Sequence, residues 1–122
     1  MDIPASARIH PTARIDEGAK IGENVVIGPL VVVETRAEIL DGAVLEDRVV
    51  IRQRAHIGRR AVIRMSATIA ETAWIGDDAE IDRFVYVGIS CRIDERAKVP
   101  NGNVLYHMTI IKADTVYGSP SR

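Results

Sequence analysis

Few side chains in this 122-residue chain are suited to bond-making chemistry: three histidines, His10, His56 and His107, and one cysteine, Cys91. A neutral imidazole suits proton abstraction near pH 7. Three histidines hold zinc if they converge. A thiol attacks as a thiolate where it is accessible and stabilised. Which of these chemistries is open depends on the elements that position the four residues.

Those elements are written in a period of six. Every sixth residue from Ile3 to Tyr117 is apolar, 20 positions without a slip, and all but Tyr117 are aliphatic. A second row, every sixth residue from Ala7, holds Ala, Val or Cys through Ala97, then Asn103, Thr109, Thr115 and Ser121. With the aliphatic position called i, all nine glycines fall at i+1 or i+3 and all five prolines between i+1 and i+3. Glycine permits unusual backbone angles and proline cannot donate to a ladder, so these positions are corners. The remaining i+4, i+5 and next i make a short strand whose side chains point in, out and in.

Three strands and three corners close an 18-residue triangular coil, and the 20 hexads make six to seven coils. At roughly 4.8 Å per stacked strand the prism is about 30 Å tall. The expected fold is all-β: a single-stranded parallel β-helix, one domain over residues 1–122, with no inserted loop and no appended helical domain.

Residues at i+5 point outward and sort into three columns. The Lys20 column (Asp2, Lys20, Glu38, His56, Trp74, Arg92, Ile110) makes a polar face. The Val26 column (Arg8, Val26, Val44, Val62, Glu80, Lys98, Val116) and the Val32 column (Arg14, Val32, Val50, Thr68, Tyr86, Val104) carry valine stripes. Contiguous apolar stripes are rare on a soluble monomer, so these two faces are expected to meet other subunits. The edge between them holds Leu30, Met65 and Phe84, whereas the edge from the Lys20 to the Val26 face is charged, with Asp41, Arg59, Arg60, Asp77, Asp78 and Glu95 among its residues. One apolar edge between two apolar faces fits a three-fold axis, with Leu30, Met65 and Phe84 nearest it; the alternative is a dimer or a lattice contact.

The same lattice sorts the chemistry. His10, His56 and His107 fall at three positions of the triangle and at distant heights, so they do not converge on a metal. Cys91 belongs to the small inward row and reads as buried packing. His56 is an outward strand residue between Glu38 and Trp74, a surface cross-strand neighbour. The formal charge of −1, from 16 basic and 17 acidic residues, gives no footprint for nucleic acid or an anionic membrane. One cysteine, no signal-peptide pattern at Met1–Pro4 and no apolar run of about 20 residues lead to the expectation of a cytoplasmic protein.

The stretch from Ile9-His10-Pro11-Thr12 to Ile21-Gly22 resembles the opening coils of the UDP-N-acetylglucosamine acyltransferase group, and the repeat resembles the hexapeptide signature along the whole chain. The resemblance implies a left-handed helix; the general rule for parallel crossovers is right-handed. It also implies trimers, and a catalytic histidine at i+2 that deprotonates a hydroxyl or amine in a cleft between subunits. His107 is the residue at i+2, beside Tyr106, at the rim of the proposed cleft; Met108 stands where that pattern has a carboxylate or amide. The His10-Pro11 pair matches the group's opening, where its role is structural.

The ending Val116-Tyr117-Gly118-Ser119-Pro120-Ser121-Arg122 is similar to the V-x-G-x-P-A-[KR] tail of acetyl-CoA-dependent members. That implies an acetyl-CoA or other acyl-donor site at Tyr117, Gly118, Pro120 and Arg122; the other reading is a glycine–proline corner that closes the final coil. Two functions remain open. One is an acyltransferase acting on a sugar, amine or hydroxyl acceptor with His107 as base. The other is a non-catalytic trimeric scaffold or interaction module. A γ-carbonic anhydrase-like role, which needs a three-histidine zinc site, ranks below both.

Overall fold

The computed structural model describes residues 3–118, and these form one parallel β-helix of 18 two-residue strands. The strands build three six-stranded parallel sheets, one per face, and each pairs with the strand 18 residues on: Arg8 with Val26, Arg14 with Val32, Lys20 with Glu38. There is no helix, and so none long and apolar enough to cross a membrane among these residues.

A two-residue strand has no stability of its own; the stack supplies it. The N–H groups at i+5 and i+1 of one coil donate to the carbonyls at i+4 and i of the next, as in Arg8 N to Val25 O (2.8 Å) and His10 N to Ile27 O (2.9 Å). The i+4 residue thus joins the ladder through its carbonyl, as the three-residue strand reading requires. Both inward rows are buried from Ala19 to Val99 and loosen toward the two ends: Ile27, Ile63 and Ile81 are 2%, 0% and 0% exposed, and Ala55, Ala61, Ala67 and Ala73 are fully covered. Each covered aliphatic stabilises by roughly 1.5–3 kcal/mol. The described core contains no buried polar or charged residue.

The corners go beyond what glycine and proline indicate. Fourteen non-glycine residues, each at i+3, have φ near +60°, among them Leu30, Thr72, Phe84 and Met108. Left-handed backbone costs an L-residue roughly 1–2 kcal/mol in isolation. Stacking offsets it: the N–H at i+3 donates to the i+2 carbonyl one coil below, as in Arg60 N to Asp41 O (2.9 Å) and Arg54 N to Thr35 O (3.2 Å). Where the i+2 N–H is left over, a side chain above accepts from it: Asp41 Oδ1 from Glu23 N (2.9 Å) and Asp77 Oδ1 from Arg59 N (2.8 Å).

The faces differ in detail from the column reading. Val32, Val44, Val50 and Val62 are half-buried, because stacked valines cover one another, and of the early valines only Val26 counts as exposed. The most exposed apolar side chains instead gather in the last coils: Tyr106 (81%), Met108 (72%) and Ile110. The polar face therefore ends in an exposed Ile110. On the edge between the valine faces, Leu30 and Phe84 are exposed and Met65 is half-buried. That edge is not uniformly apolar, since Arg64 bridges Glu46 beside it (3.0 Å) and Glu80 of the adjoining Val26 face (2.8 Å).

Candidate functional site

His107 sits at the tip of a corner between the Val32 and Lys20 faces, and the backbone below it explains its position. Gly88 lies one coil down at i+1. A Cβ there would fall 2.6 Å from Leu105 O and 3.0 Å from His107 N, so only glycine lets the His107 corner settle on the coil beneath. The corner closes as a turn in which Thr109 N and Oγ1 both donate to Tyr106 O (3.3 and 2.8 Å). The Cys91 thiol, 1% exposed, donates to the same carbonyl at 2.9 Å. Met108 N donates to Ile89 O (2.9 Å), and Met108 takes φ 59°. Gly88, Cys91 and Thr109 thus hold the backbone of His107, a positioning role that the small inward row alone did not disclose.

The imidazole itself is exposed, with Tyr106, Met108 and Ile89 around it as exposed apolar neighbours on the same edge. No side chain hydrogen-bonds its ring among the described residues, in keeping with Met108 standing where a carboxylate or amide would orient it.

Further down this edge a notch of about 250 Å³ opens, lined by Arg52, Thr68, Ala70, Glu71 and Tyr86. Its floor is Ala70, which is fully buried. Arg52 leans on Glu34 (3.5 Å) and Glu71 (3.7 Å) at its mouth. None of these lining residues carries a chemical signal in the sequence; Thr68 and Tyr86 belong to the outward Val32 column. The available signal was the pair of small residues, Ala70 and Gly88, at i+1 between Arg52 and Tyr106.

The other sequence candidates lie elsewhere. Tyr117 is half-buried against the core and its N–H donates to Lys98 O (2.8 Å); Gly118 has φ +79°. Pro120 and Arg122 lie outside the described residues. His56 is half-buried, its ring stacked on Trp74 and its Nδ1 3.4 Å from Glu38 Oε1. His10 Nδ1 accepts from Thr12 N (3.1 Å) in the corner after the first strand, and Thr12 Oγ1 accepts in turn from Leu30 N (3.0 Å). No group of three His, Cys, Asp or Glu residues able to hold a metal exists among the described residues.

Charge is ordered most strongly on the edge from the Lys20 to the Val26 face. Arg60 meets Asp78 in a fork at 2.9 and 3.0 Å, and Arg96 meets Asp114 at 2.6 and 3.1 Å. The hydrogen bond from Arg60 lowers the Asp78 pKa, and that from Arg96 lowers Asp114. These groups lie at the solvent-exposed surface, so the ladder orders the surface more than it stabilises the fold.

Comparison with known proteins places this geometry. A family model described as GMPPB C-terminal domain matches residues 3–63. No curated protein matches the chain in sequence. Solved structures share its fold. The acetyltransferase domain of PglB from Neisseria gonorrhoeae FA1090 is 22% identical over 92% of this chain and 52% of that one, with a TM-score of 0.60. A hexapeptide transferase family protein from Anaplasma phagocytophilum is 20% identical over 90% of this chain and 68% of that one, TM-score 0.55. The Arabidopsis UDP-N-acetylglucosamine acyltransferase is 19% identical over 92% of this chain and 49% of that one, TM-score 0.50. The chain thus spans about half the length of the first and third of these proteins. The likeness is one of architecture: the left-handed parallel β-helix of the hexapeptide-repeat acyltransferases.

Proposed function

We propose that this chain, which belongs to the GMPPB C-terminal domain family, serves as an acyltransferase-type module that moves an acetyl or acyl group from a CoA-type thioester to a hydroxyl or amine acceptor. The observation that carries the reading is His107, a solvent-reachable imidazole on a closely packed corner backbone, with exposed apolar neighbours at the head of a notched edge. In this reading His107 takes the proton from the acceptor O–H or N–H as the new bond to the acyl carbon forms. As the carbon–sulfur bond breaks, the imidazolium returns that proton to the leaving thiolate, and His107 ends neutral. Exposed Tyr106 and Met108 suit the uncharged arm of such a donor, and Tyr117 and Gly118 of the last coil, with Pro120 and Arg122 beyond them, would hold its far end.

The module would act as a homotrimer. The half-buried Val32, Val44, Val50 and Val62, with exposed Val26, Leu30, Phe84 and Tyr86 and half-buried Met65, form the surface that a three-fold axis would cover. His107 would then stand at the rim of a cleft between two copies.

A second reading is favoured by one observation: the His107 ring has no orienting hydrogen bond among the described residues. In that reading the chain is a non-catalytic trimeric scaffold whose polar face and charged edge engage a partner. Calorimetry with acetyl-CoA separates the two. The transferase reading expects binding by the intact chain, weaker binding by a chain ending at Thr115, and loss of thiol release in His107→Ala with binding retained. Absence of binding by the intact chain would abandon it. Unchanged turnover in His107→Ala would remove His107 from the site.

A further inference from the structure

Eight described arginines lie within 4.0 Å of a carboxylate; Arg8, Arg36, Arg48 and Arg54 have no such partner among the described residues. Arg8 is on a strand of the first coil, and Arg48 reaches Ser66 Oγ at 3.4 Å on the Leu30 edge. Arg36 and Arg54 are different. They occupy the same i+3 corner in successive coils, with φ 63° and 61°, on the edge that also bears His107. The strands before and after them are in register, Val33 with Ile51 and Glu38 with His56, so their backbones lie about 4.8 Å apart.

Two like charges stacked this closely are unfavourable unless a counter-charge lies between them. On the edge from the Lys20 to the Val26 face the same corner position alternates in sign, as Arg60 over Asp78 and Arg96 over Asp114. On the Arg36 edge the nearby carboxylates are otherwise engaged or make no pair: Glu34 and Glu71 both face Arg52, and Glu17, one coil down, bridges to neither arginine. Both arginines are exposed, and the residues beside them at the corner tips, Thr35 and Gln53, are exposed as well and add neutral donors.

We propose that Arg36 and Arg54 form a docking point for a ligand with two linked phosphoryl groups, a diphosphate ester. A guanidinium presents a planar fork of donors matched to one phosphoryl group. Two forks stacked one coil apart meet two linked phosphoryls, each with its own anionic oxygens, and relieve the repulsion between the arginines. A single phosphoryl group would satisfy one fork and leave the other. His107 lies three coils away on the same edge, roughly 14 Å at about 4.8 Å per coil. The assignment is independent of any role for His107.

The test is calorimetry of the full chain with inorganic pyrophosphate at low salt, beside sulfate and monophosphate. One saturable site per chain is expected, tighter for pyrophosphate than for either single anion. Arg36→Gln and Arg54→Gln should each weaken it about tenfold, and the double variant should abolish it. Arg54→Lys, which keeps the charge and loses the fork, should also weaken it. Arg8→Gln, Arg48→Gln and His107→Ala should bind as wild type does. A thermal melt gives a second reading: pyrophosphate should raise the midpoint of wild type and not of the double variant. No binding, equal affinity for sulfate, or an equal loss in Arg8→Gln would overturn the proposal.

Discussion

His56 and Trp74 stack face to face across adjacent coils, their ring centroids 5.1 Å apart and their planes 2° from parallel. Arg92 covers Trp74 from the next coil, 4.9 Å from its ring centroid. Trp74 is the one tryptophan in the chain, so its emission reports this column alone. His56→Ala should expose one ring face, shift emission to the red and destabilise the fold by about 1 kcal/mol. An unchanged spectrum would mean that the stack does not persist in solution.

The fully buried aliphatic row should respond as a packed core. Ile63→Ala, at a position with 0% exposure between two equally buried coils, should destabilise by about 3 kcal/mol in urea unfolding. A loss below about 1 kcal/mol would mean that the interior tolerates voids.

Two kinds of corner glycine should separate under substitution. A Cβ on Gly58 would lie 2.6 Å from Asp77 N and from Gly76 C, whereas one on Gly102 meets nothing within 4 Å, although Gly102 has φ +74°. Gly58→Ala should therefore destabilise by about 2 kcal/mol or more, through overlap between coils. Gly102→Ala should cost about 1 kcal/mol, from its backbone angle alone. Equal losses in denaturation would remove the steric distinction.

The charged edge makes a pH prediction. Asp78 and Asp114 have native pKa values below the ordinary 3.8, each chiefly through a hydrogen bond from its arginine. Their contribution is present above 3.8 and is lost as pH falls through the depressed native values. The stability gap between wild type and the Asp78→Asn, Asp114→Asn double variant should thus be open at neutral pH and close in acid. Added salt should narrow it at neutral pH. A gap independent of pH would assign the effect to packing.

Self-association through the valine faces should yield to charge. Val44→Lys with Val50→Lys places two cations on outward, half-buried positions. Sedimentation should convert a trimer to a monomer while far-ultraviolet circular dichroism stays unchanged. A wild-type chain that sediments as a monomer would reject the assembly.

The core was legible because its signal is one-dimensional. A side chain every six residues must face the same hollow if the corners fall between, so Ile27, Ile63 and Ile81 could be placed by counting. Cys91 could be placed inside by the same count. Its bond to Tyr106 O could not, because that contact joins residues 15 apart in sequence through the particular way one corner sits on another.

The sequence by itself determined the period, the inward rows, the three outward columns and the corner positions, since each follows from residue type repeated at a fixed step. Only the tertiary structure decided which corners bear left-handed residues without glycine, where the notch opens beneath His107, and which arginines find carboxylates. Those outcomes depend on the distance and direction between side chains in neighbouring coils. A repeat fixes which residues are neighbours; whether two neighbours bond, clash or repel is settled by their geometry in three dimensions.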